Sequence, residues 1–597
     1  MSKQSPSSSY QIIFISFVLA LVSLFLYLPR TAITLQHSDG GELATAAVTG
    51  SIVHPPGYPL YMLISRGMLA IFGSANPYAL LADFSAISQS LAVVMLFFVC
   101  FYLSRNILYS FFIALAWSLY QPTILTATDA EVFALHHLLI LILILSSVAL
   151  INTSEKSNFR AMLYGVICGL CVSHHHTTVL WFPLVLYTVF ILCRTNWTNL
   201  PPYLLGAVVG LSPYLSLFFS KPLQLTFGPI DTVTDLLKHF FREAYGTFSL
   251  SAGQSEEFVS YISKFLNLTA YNAPAFILVL FLLLYNWRKN SLIKAFMLCF
   301  VLHLFFALSL KAPDYPALYS EYLMRFYSLI ALSGAVCCGL FSPKNTIQML
   351  LATALLLIPA ISDSSKALEA SDARVDRLVD AELNILLKEL PKNSLFIANS
   401  DLFGMGLLYK QNVEAKREDL IVVVDGMLAN NNYREILARR YDLFADLDTN
   451  KIWTNESVYY HARAKGLFVF SGQRNIRPKD IYELPIGIAW QWLLAKELPN
   501  AQEVTLRLAD YCARWPEELE SVSQYRDFSN ELIEHDFLWP LEAHLGVISR
   551  PQIGVLLRQA LDGFYKRDLE KTKQFCRLTL RRLTGQDSLE NRSYLLK

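Results

Sequence analysis

The stretch HSDGGELATAAVTGSIVHPPGYPLY, residues 37–61, places two acids, two histidines and three prolines directly after a long apolar run. Asp39 and Glu42 stand three apart. At the start of a helix over GELATAAV, Asp39 stands near the N-cap and Glu42 in the first turn; they are candidates for a site at the membrane edge, or Asp39 simply caps that helix. In HPPGYP, half the residues lack a backbone donor and have fixed φ, so the segment is stiff and cannot continue a helix. With His54 and Tyr58 it reads as the wall of a preorganised site, and equally as the start of a helix over 60–72. TDAEVFALHH offers Asp129 and Glu131. They are a cap and a first-turn charge, or a second carboxylate pair that binds a divalent cation or holds a substrate hydroxyl. Arg325, in YLMRFYSLIAL, is an anion ligand able to fork onto phosphate, against the plainer reading of a snorkelling side chain. Arg242, in FREAYGTF, sits in a loop with no need to be buried. The run His174, His175, His176 looks metal-like. Consecutive helical residues point about 100° apart, however, so three in a row do not converge on one ion. No HExxH spacing occurs. One of the three is expected to face the site and donate to an anionic substrate, while the others meet lipid headgroups or neighbouring helices. FGMG at 403–406 is too short for a phosphate loop.

Such residues need elements to hold them, and the bulk composition says which kind. Of 597 residues 54% are hydrophobic and only 16% charged, with a mean hydropathy of +0.38. That places the chain among membrane proteins. A net charge of +1 with no basic tail argues against nucleic acid as a partner. Nine cysteines make no disulfide framework; seven fall in apolar runs and only Cys512 and Cys576 lie elsewhere. QIIFISFVLALVSLFLYLP is long enough to cross a bilayer and lacks a small-x-small cleavage site, so it is expected to be a retained first helix.

Apolar runs long enough to span lie at about 10–29, 79–103, 106–126, 131–151, 160–178, 179–195, 202–220, 272–288, 292–310, 322–342 and 346–361, about eleven in all. Lys3, Arg105, Lys156, Arg160, Arg194, Arg288, Lys289, Lys294 and Lys344 occupy alternate connections, which marks those as cytoplasmic. The opposite connections then carry Asp39, Glu42, His54, Asp129, Glu131, the histidine triplet, Arg242, Glu243, Tyr245, Asp314, Glu321 and Arg325. Ionisable groups beside hydrocarbon are functional candidates, and their shared side suggests one cavity open to the non-cytoplasmic surface. Residues 1–362 thus form the membrane part. In 363–500, SLFIANSD, DLIVVVDG and GLFVFSG are short β-branched runs separated by helical patterns, the sign of a soluble α/β domain. Residues 501–597 read as helical, with an amphipathic pair joined near Gly563. An odd number of spans puts everything after about residue 362 on the non-cytoplasmic side.

DGGELATAAVTGSIVHPPGYPLY, TDAEVFALHH, GLCVSHHHTTVL and FREAYGTF, in that order, resemble a family of multi-pass proteins placed among the GT-C glycosyltransferases. Its animal member is an endoplasmic-reticulum protein O-mannosyltransferase acting on receptor ectodomains. The resemblance covers roughly 30–330, and HPPGYPL is its most specific piece. The family pattern Asp-Ser-Gly-Glu-Leu becomes Asp39-Gly40-Gly41-Glu42-Leu43 here, which keeps both acids. The resemblance implies a GT-C-like membrane domain and sugar transfer, with mannose the expected sugar, from a polyprenyl- or dolichyl-phosphate donor. The acceptor hydroxyl would belong to a protein, lipid or glycan on the non-cytoplasmic face. Asp39 would be the base and Glu42 its partner, Arg325 with one histidine of the triplet would hold the phosphate, and HPPGYP would wall the site. No cofactor is implied beyond a divalent cation, on which GT-C families differ. The membrane would be a bacterial inner membrane or that of the endoplasmic reticulum. The competing reading is a transporter or lipid-handling protein without transferase chemistry. Transporters usually show repeat symmetry and broken helices near the midplane, and the two halves here do not repeat.

Overall fold

The computed structural model describes residues 6–36, 38–154, 156–221, 227–245, 291–309, 319–472, 476–500, 503–504, 506–507, 555–556, 558–559 and 569–584. The chain separates into two compact units that do not follow chain order. One comprises Met1–Ile33, Val53–Ser220 and Ile230–Arg374; the other comprises Thr34–Ile52, Lys221–Pro229 and Val375–Lys597.

The first unit is helical because its sequence offers long apolar stretches with few breakers. Its elements are α1 (Pro6–Tyr27), α3 (Pro59–Phe72), α4 (Pro77–Ser104), α5 (Ile107–Ser118), α6 (Gln121–Thr128), α7 (Phe133–Asn152), α8 (Asn158–His174), α9 (Phe182–Thr195), α10 (Leu200–Gly210), α11 (Val233–Phe240), α12 (Ser291–Ser309), α13 (Tyr319–Gly339) and α14 (Thr346–Ala370). Starts follow the usual chemistry. Asn76 and Asn106 accept from the amides of Ala79 and Tyr109, and proline stands in the first turn of α3, α4 and α6. Large apolar side chains such as Phe14, Phe17 and Phe25 of α1 are exposed, as lipid-facing positions require. Inside, Phe97, Tyr109, Trp181, Tyr327 and Val336 belong to one continuous core.

Among the described residues six helices are long and apolar enough to cross a membrane, and a bent pair makes seven. The expected spans are therefore cut up. The run 106–126 is two helices, Ile107–Ser118 and Gln121–Thr128, bent by 63°. The run 160–178 stops at His174, because His175 turns extended (φ −154°, ψ 133°). The run 272–288 lies outside the described residues. The expected domain boundary near 362 falls inside α14, which continues to Ala370.

The second unit is built on a five-stranded sheet ordered β2-β1-β3-β5-β4, from β1 (Ser394–Ala398), β2 (Ile421–Val424), β3 (Phe468–Ser471), β4 (Tyr482–Ile486) and β5 (Ala489–Leu493). β2 and β3 flank β1 and run parallel to it, pairing Leu395 with Ile421 and with Val469. β5 is antiparallel to β3, and Gly487, at φ 62°, turns the β4–β5 hairpin. Helices α15 (Leu378–Glu389), α16 (Asp401–Asn412), α17 (Asn431–Arg440) and α18 (Asn455–Ala464) make the connections, with α19 (Leu569–Thr584) further on. The parallel strands read as unbroken apolar runs because they are covered on both faces; all five residues of β1 are buried. Most of the helical pattern expected beyond 500, including its junction at Gly563, lies outside the described residues. The short segment Thr34–Ile52, carrying α2 (Gly40–Thr49), belongs to this second unit.

Candidate active site

In the membrane unit the candidate residues gather around the turn between α6 and α7. Asp129 is not the cap of α7. It follows the last residue of α6, and α7 begins after Val132. Its Oδ1 instead accepts the Tyr78 hydroxyl at 2.6 Å and the Ala130 amide at 2.7 Å. Glu131 is not a first-turn charge either. It is 3% exposed, and its Oε1 lies 3.1 Å from Nη2 of Arg325. Arg325 is therefore drawn inward to a carboxylate rather than snorkelling outward. The His137 ring bridges Gln89 (2.8 Å) and Ser328 (3.1 Å), and the Ser328 hydroxyl donates to the Arg325 carbonyl at 2.6 Å. This ties the arginine's turn of α13 to α4 and α7.

The histidine triplet is not one helical turn. His174 ends α8, His175 is extended and His176 opens a 3-10 turn, so the three rings diverge for a different reason than helical spacing. His174 donates Nε2–H to the Val132 carbonyl at 3.0 Å. The Thr177 amide donates to Nδ1 of His175 at 3.2 Å, which puts the His175 proton on Nε2. The Thr177 hydroxyl lies 2.7 Å from that Nδ1 and 2.9 Å from Nε2 of His136, completing a buried chain. Tyr58 stacks on His175 with ring centroids 5.4 Å apart, and its hydroxyl is 2.9 Å from Nε2 of His54. Tyr58 has φ 41° and Gly57 φ 90°. A Cβ on Gly57 would stand 2.9 Å from Nε2 of His239, so that turn admits only glycine. His239 belongs to α11, and burial pushes its imidazole down to about 3. The same helix sets Phe240 against His176, ring centroids 4.7 Å apart, and delivers Arg242 (φ 56°) just beyond.

In the second unit Asp39 occupies the position before α2 but makes no capping hydrogen bond with its side chain. The capping explanation for this acid therefore fails. Glu42, in the first turn, is 2% exposed. Glu243 and Tyr245 lie in a short 3-10 turn of the membrane unit, whereas Asp314 and the side chain of Glu321 fall outside the described residues. Among the described residues no group of three or more His, Cys, Asp or Glu is arranged to hold a metal ion.

Sequence reasoning passed over Tyr78, Gln89, His136, His137, Thr177 and Ser328. His136 and His137 carried a signal, since two histidines inside FALHHLLILILI are ionisable groups within an apolar span. The others are ordinary residues whose partners lie far away in the chain.

The segment that holds most of these residues is shared with other proteins. Residues 39–198 match the Protein O-mannosyl-transferase TMEM260 N-terminal domain. The TMEM260 match starts at Asp39 and takes in HPPGYP, Asp129, Glu131 and the histidine triplet, the same motifs that carried the resemblance. The chain is 28% identical over 446 residues to mouse Protein O-mannosyl-transferase TMEM260, covering 69% of this chain and 62% of the relative. It is 25% identical over 451 residues to the protein of the same name from Dictyostelium discoideum, covering 65% and 54%. The chain thus spans less than two thirds of the length of these TMEM260 relatives. Among solved structures it is similar to ArnT from Cupriavidus metallidurans bound to undecaprenyl phosphate, with a TM-score of 0.48 and 11% identity over 83% of this chain and all of that one.

Proposed function

We propose that this protein is a membrane glycosyltransferase that moves mannose from a polyprenyl-phosphate donor to a protein hydroxyl. The observation that carries the reading is the acid pair of α2: Asp39 stands just before the helix and buried Glu42 in its first turn, at the start of the segment that matches the O-mannosyl-transferase domain. Asp39 accepts the acceptor hydroxyl's proton as its oxygen attacks the anomeric carbon. The bond from that carbon to the donor phosphate breaks, its electrons leave with the phosphate, and the configuration inverts. Glu42 orients the base. On the membrane unit, Arg325 receives the phosphate, released in part from Glu131, and the Nε2–H of His175 is a further donor to developing charge. Asp129, His54, Tyr58, His174, His176 and Arg242 shape and orient the surroundings. An apolar cavity lined by Trp117, Tyr120, Ile330, Ala331, Gly334 and Leu356 suits the donor's isoprenoid tail. It begins about 7.5 Å beyond Arg325 along α13, at 1.5 Å per residue. The relatives' printed name supports mannose and a protein acceptor.

The finer topology belongs to the same reading: eleven spans, with 363–500 and 501–597 facing the periplasm or the lumen. A disulfide at Cys576 is in keeping with such an oxidising compartment. The test supplies membranes holding wild type or Asp39→Asn with radiolabelled polyprenyl-phosphate mannose and follows label into protein, lipid and free sugar. Label entering protein with wild type and none with Asp39→Asn is the expected result. Equal labelling by both removes Asp39 from the mechanism; donor flux without any transfer favours a transporter.

A further inference from the structure

Thr34–Ile52 joins two membrane-unit segments in sequence, yet it packs with the C-terminal unit. Two anchors hold it there. Ahead of Asp39, the amide of Gln36, 4% exposed, donates to the Asp376 carbonyl at 2.7 Å and to the Thr34 carbonyl at 3.1 Å. The Thr34 hydroxyl donates to the same Asp376 carbonyl at 3.3 Å. Asp376 is itself fixed, since its Oδ1 accepts the Leu378 amide where α15 begins. After Asp39, α2 lies along α16. A Cβ on Gly41 would be 3.3 Å from Leu35 Cδ2 and 3.8 Å from the Met405 carbonyl, so helix and platform meet without room for a larger side chain. α16 is rigidly seated in turn. It follows β1, and its buried Lys410 is paired with Asp380 of α15 and with Glu414, 2.9 Å away.

We infer that the α/β unit is the positioning element for the acid pair, with Gln36 and Gly41 as positioning residues that set where the Asp39 carboxylate sits. The inference rests on the proposed transferase reading and gives the C-terminal unit a role in it. A connecting segment anchored only at its ends would leave Asp39 free to wander. Bracketing it between a buried amide three residues before and a helix contact two residues after restricts it to one place. In the proposed mechanism Asp39 takes the acceptor hydroxyl's proton and does not hold the donor phosphate, so loosening this bracket acts on the chemical step and spares donor binding.

The test measures transfer kinetics for wild type, Asp39→Asn, Gln36→Leu, Gly41→Leu and Thr34→Val, with amide exchange over 34–44. Gln36→Leu and Gly41→Leu should lower kcat by about 10- to 100-fold, the usual effect of a displacement near 1 Å. KM for the donor should move less than about twofold, since lost transition-state interactions leave ground-state binding alone. Exchange over 34–44 should rise. Thr34→Val, which loses only the longest bond, should show the same kcat-only pattern at about twofold, and it serves if the larger changes fail to fold. Wild-type kcat in these variants beside an inactive Asp39→Asn overturns the positioning role and leaves the base assignment standing. A rise in KM with kcat unchanged overturns it too. Wild-type transfer by Asp39→Asn overturns the base assignment, and the positioning role with it.

Discussion

Helices α8 and α10 cross through two pairs of glycines, Gly165 with Gly169 and Gly206 with Gly210, each pair four residues apart. Small residues at this spacing let membrane helices approach backbone to backbone. A Cβ built on Gly169 stands 2.7 Å from the Gly210 Cα, and one on Gly165 stands 2.8 Å from the Ala207 nitrogen. Carbon atoms prefer about 3.5–4.0 Å, so Gly169→Ala must part the two helices by ~1 Å. The opposing atoms are backbone, and no rotamer change relieves the clash. Overpacking of this kind costs about 1–3 kcal/mol. Its functional effect is larger, because α8 ends at His174 and positions the ring chain of His175, Thr177 and His136. A shift of ~1 Å there should cut the proposed sugar transfer by about 100-fold. Gly67→Ala is the control, since nothing lies within 4 Å of a Cβ at that position. The assay pairs transfer rate with thermal unfolding of protein purified in detergent. Gly169→Ala should fold, melt earlier and lose transfer, while Gly67→Ala matches wild type. Unchanged rate and melting in Gly169→Ala, or an equal loss in Gly67→Ala, would falsify the argument that helix separation sets this part of the site.

Breaking the Glu131–Arg325 pair by Glu131→Gln takes a carboxylate away from a guanidinium only 15% exposed, a loss of up to about 3–5 kcal/mol in comparable buried pairs. The double variant with Arg325→Met should recover much of that stability while remaining inactive; a double-mutant cycle on melting checks it, and additivity would refute the coupling. His239 supplies a pH signature. It is buried neutral, held at about 3 against its ordinary 6.5, with His54 and His176 also disfavouring its charge. The unfolded form binds the proton more readily, so His239's contribution is complete above about pH 6.5 and is lost as pH falls from there towards 3. Amide protection over 232–242, corrected for the intrinsic pH dependence of exchange, should therefore fall as pH drops from about 6.5 to 5. His239→Phe should flatten that change, and an identical profile in the variant would refute the assignment.

The class of protein was legible, and candidate site residues could be named, because both depend on local sequence. Apolar runs must be helices in lipid, and three β-branched runs separated by helical patterns became the parallel strands β1, β2 and β3. The β4–β5 hairpin was missed, since YELPI and AWQWL show no turn dipeptide beyond Gly487-Ile488. Breaks inside the apolar runs were not legible, because hydropathy averages across what only backbone geometry reveals, as at Ser118–Gln121 and His175. The paired glycines of α8 and α10 were readable as motifs, yet only packing told which helix each pair faces.

The sequence alone determined a membrane-embedded helical part, an α/β part, and a set of candidate acids, histidines and arginine. Residue type and period carry that information without reference to anything distant. Tertiary structure alone decided what each group does with its charge: Asp129 receives Tyr78, Glu131 holds Arg325, and Asp39 makes no side-chain cap on its helix. It alone assigned the acid-bearing segment to the C-terminal unit, because Gln36 meets Asp376 across 340 positions of chain. Contacts at such separation depend on how the whole chain folds, and no local pattern encodes them.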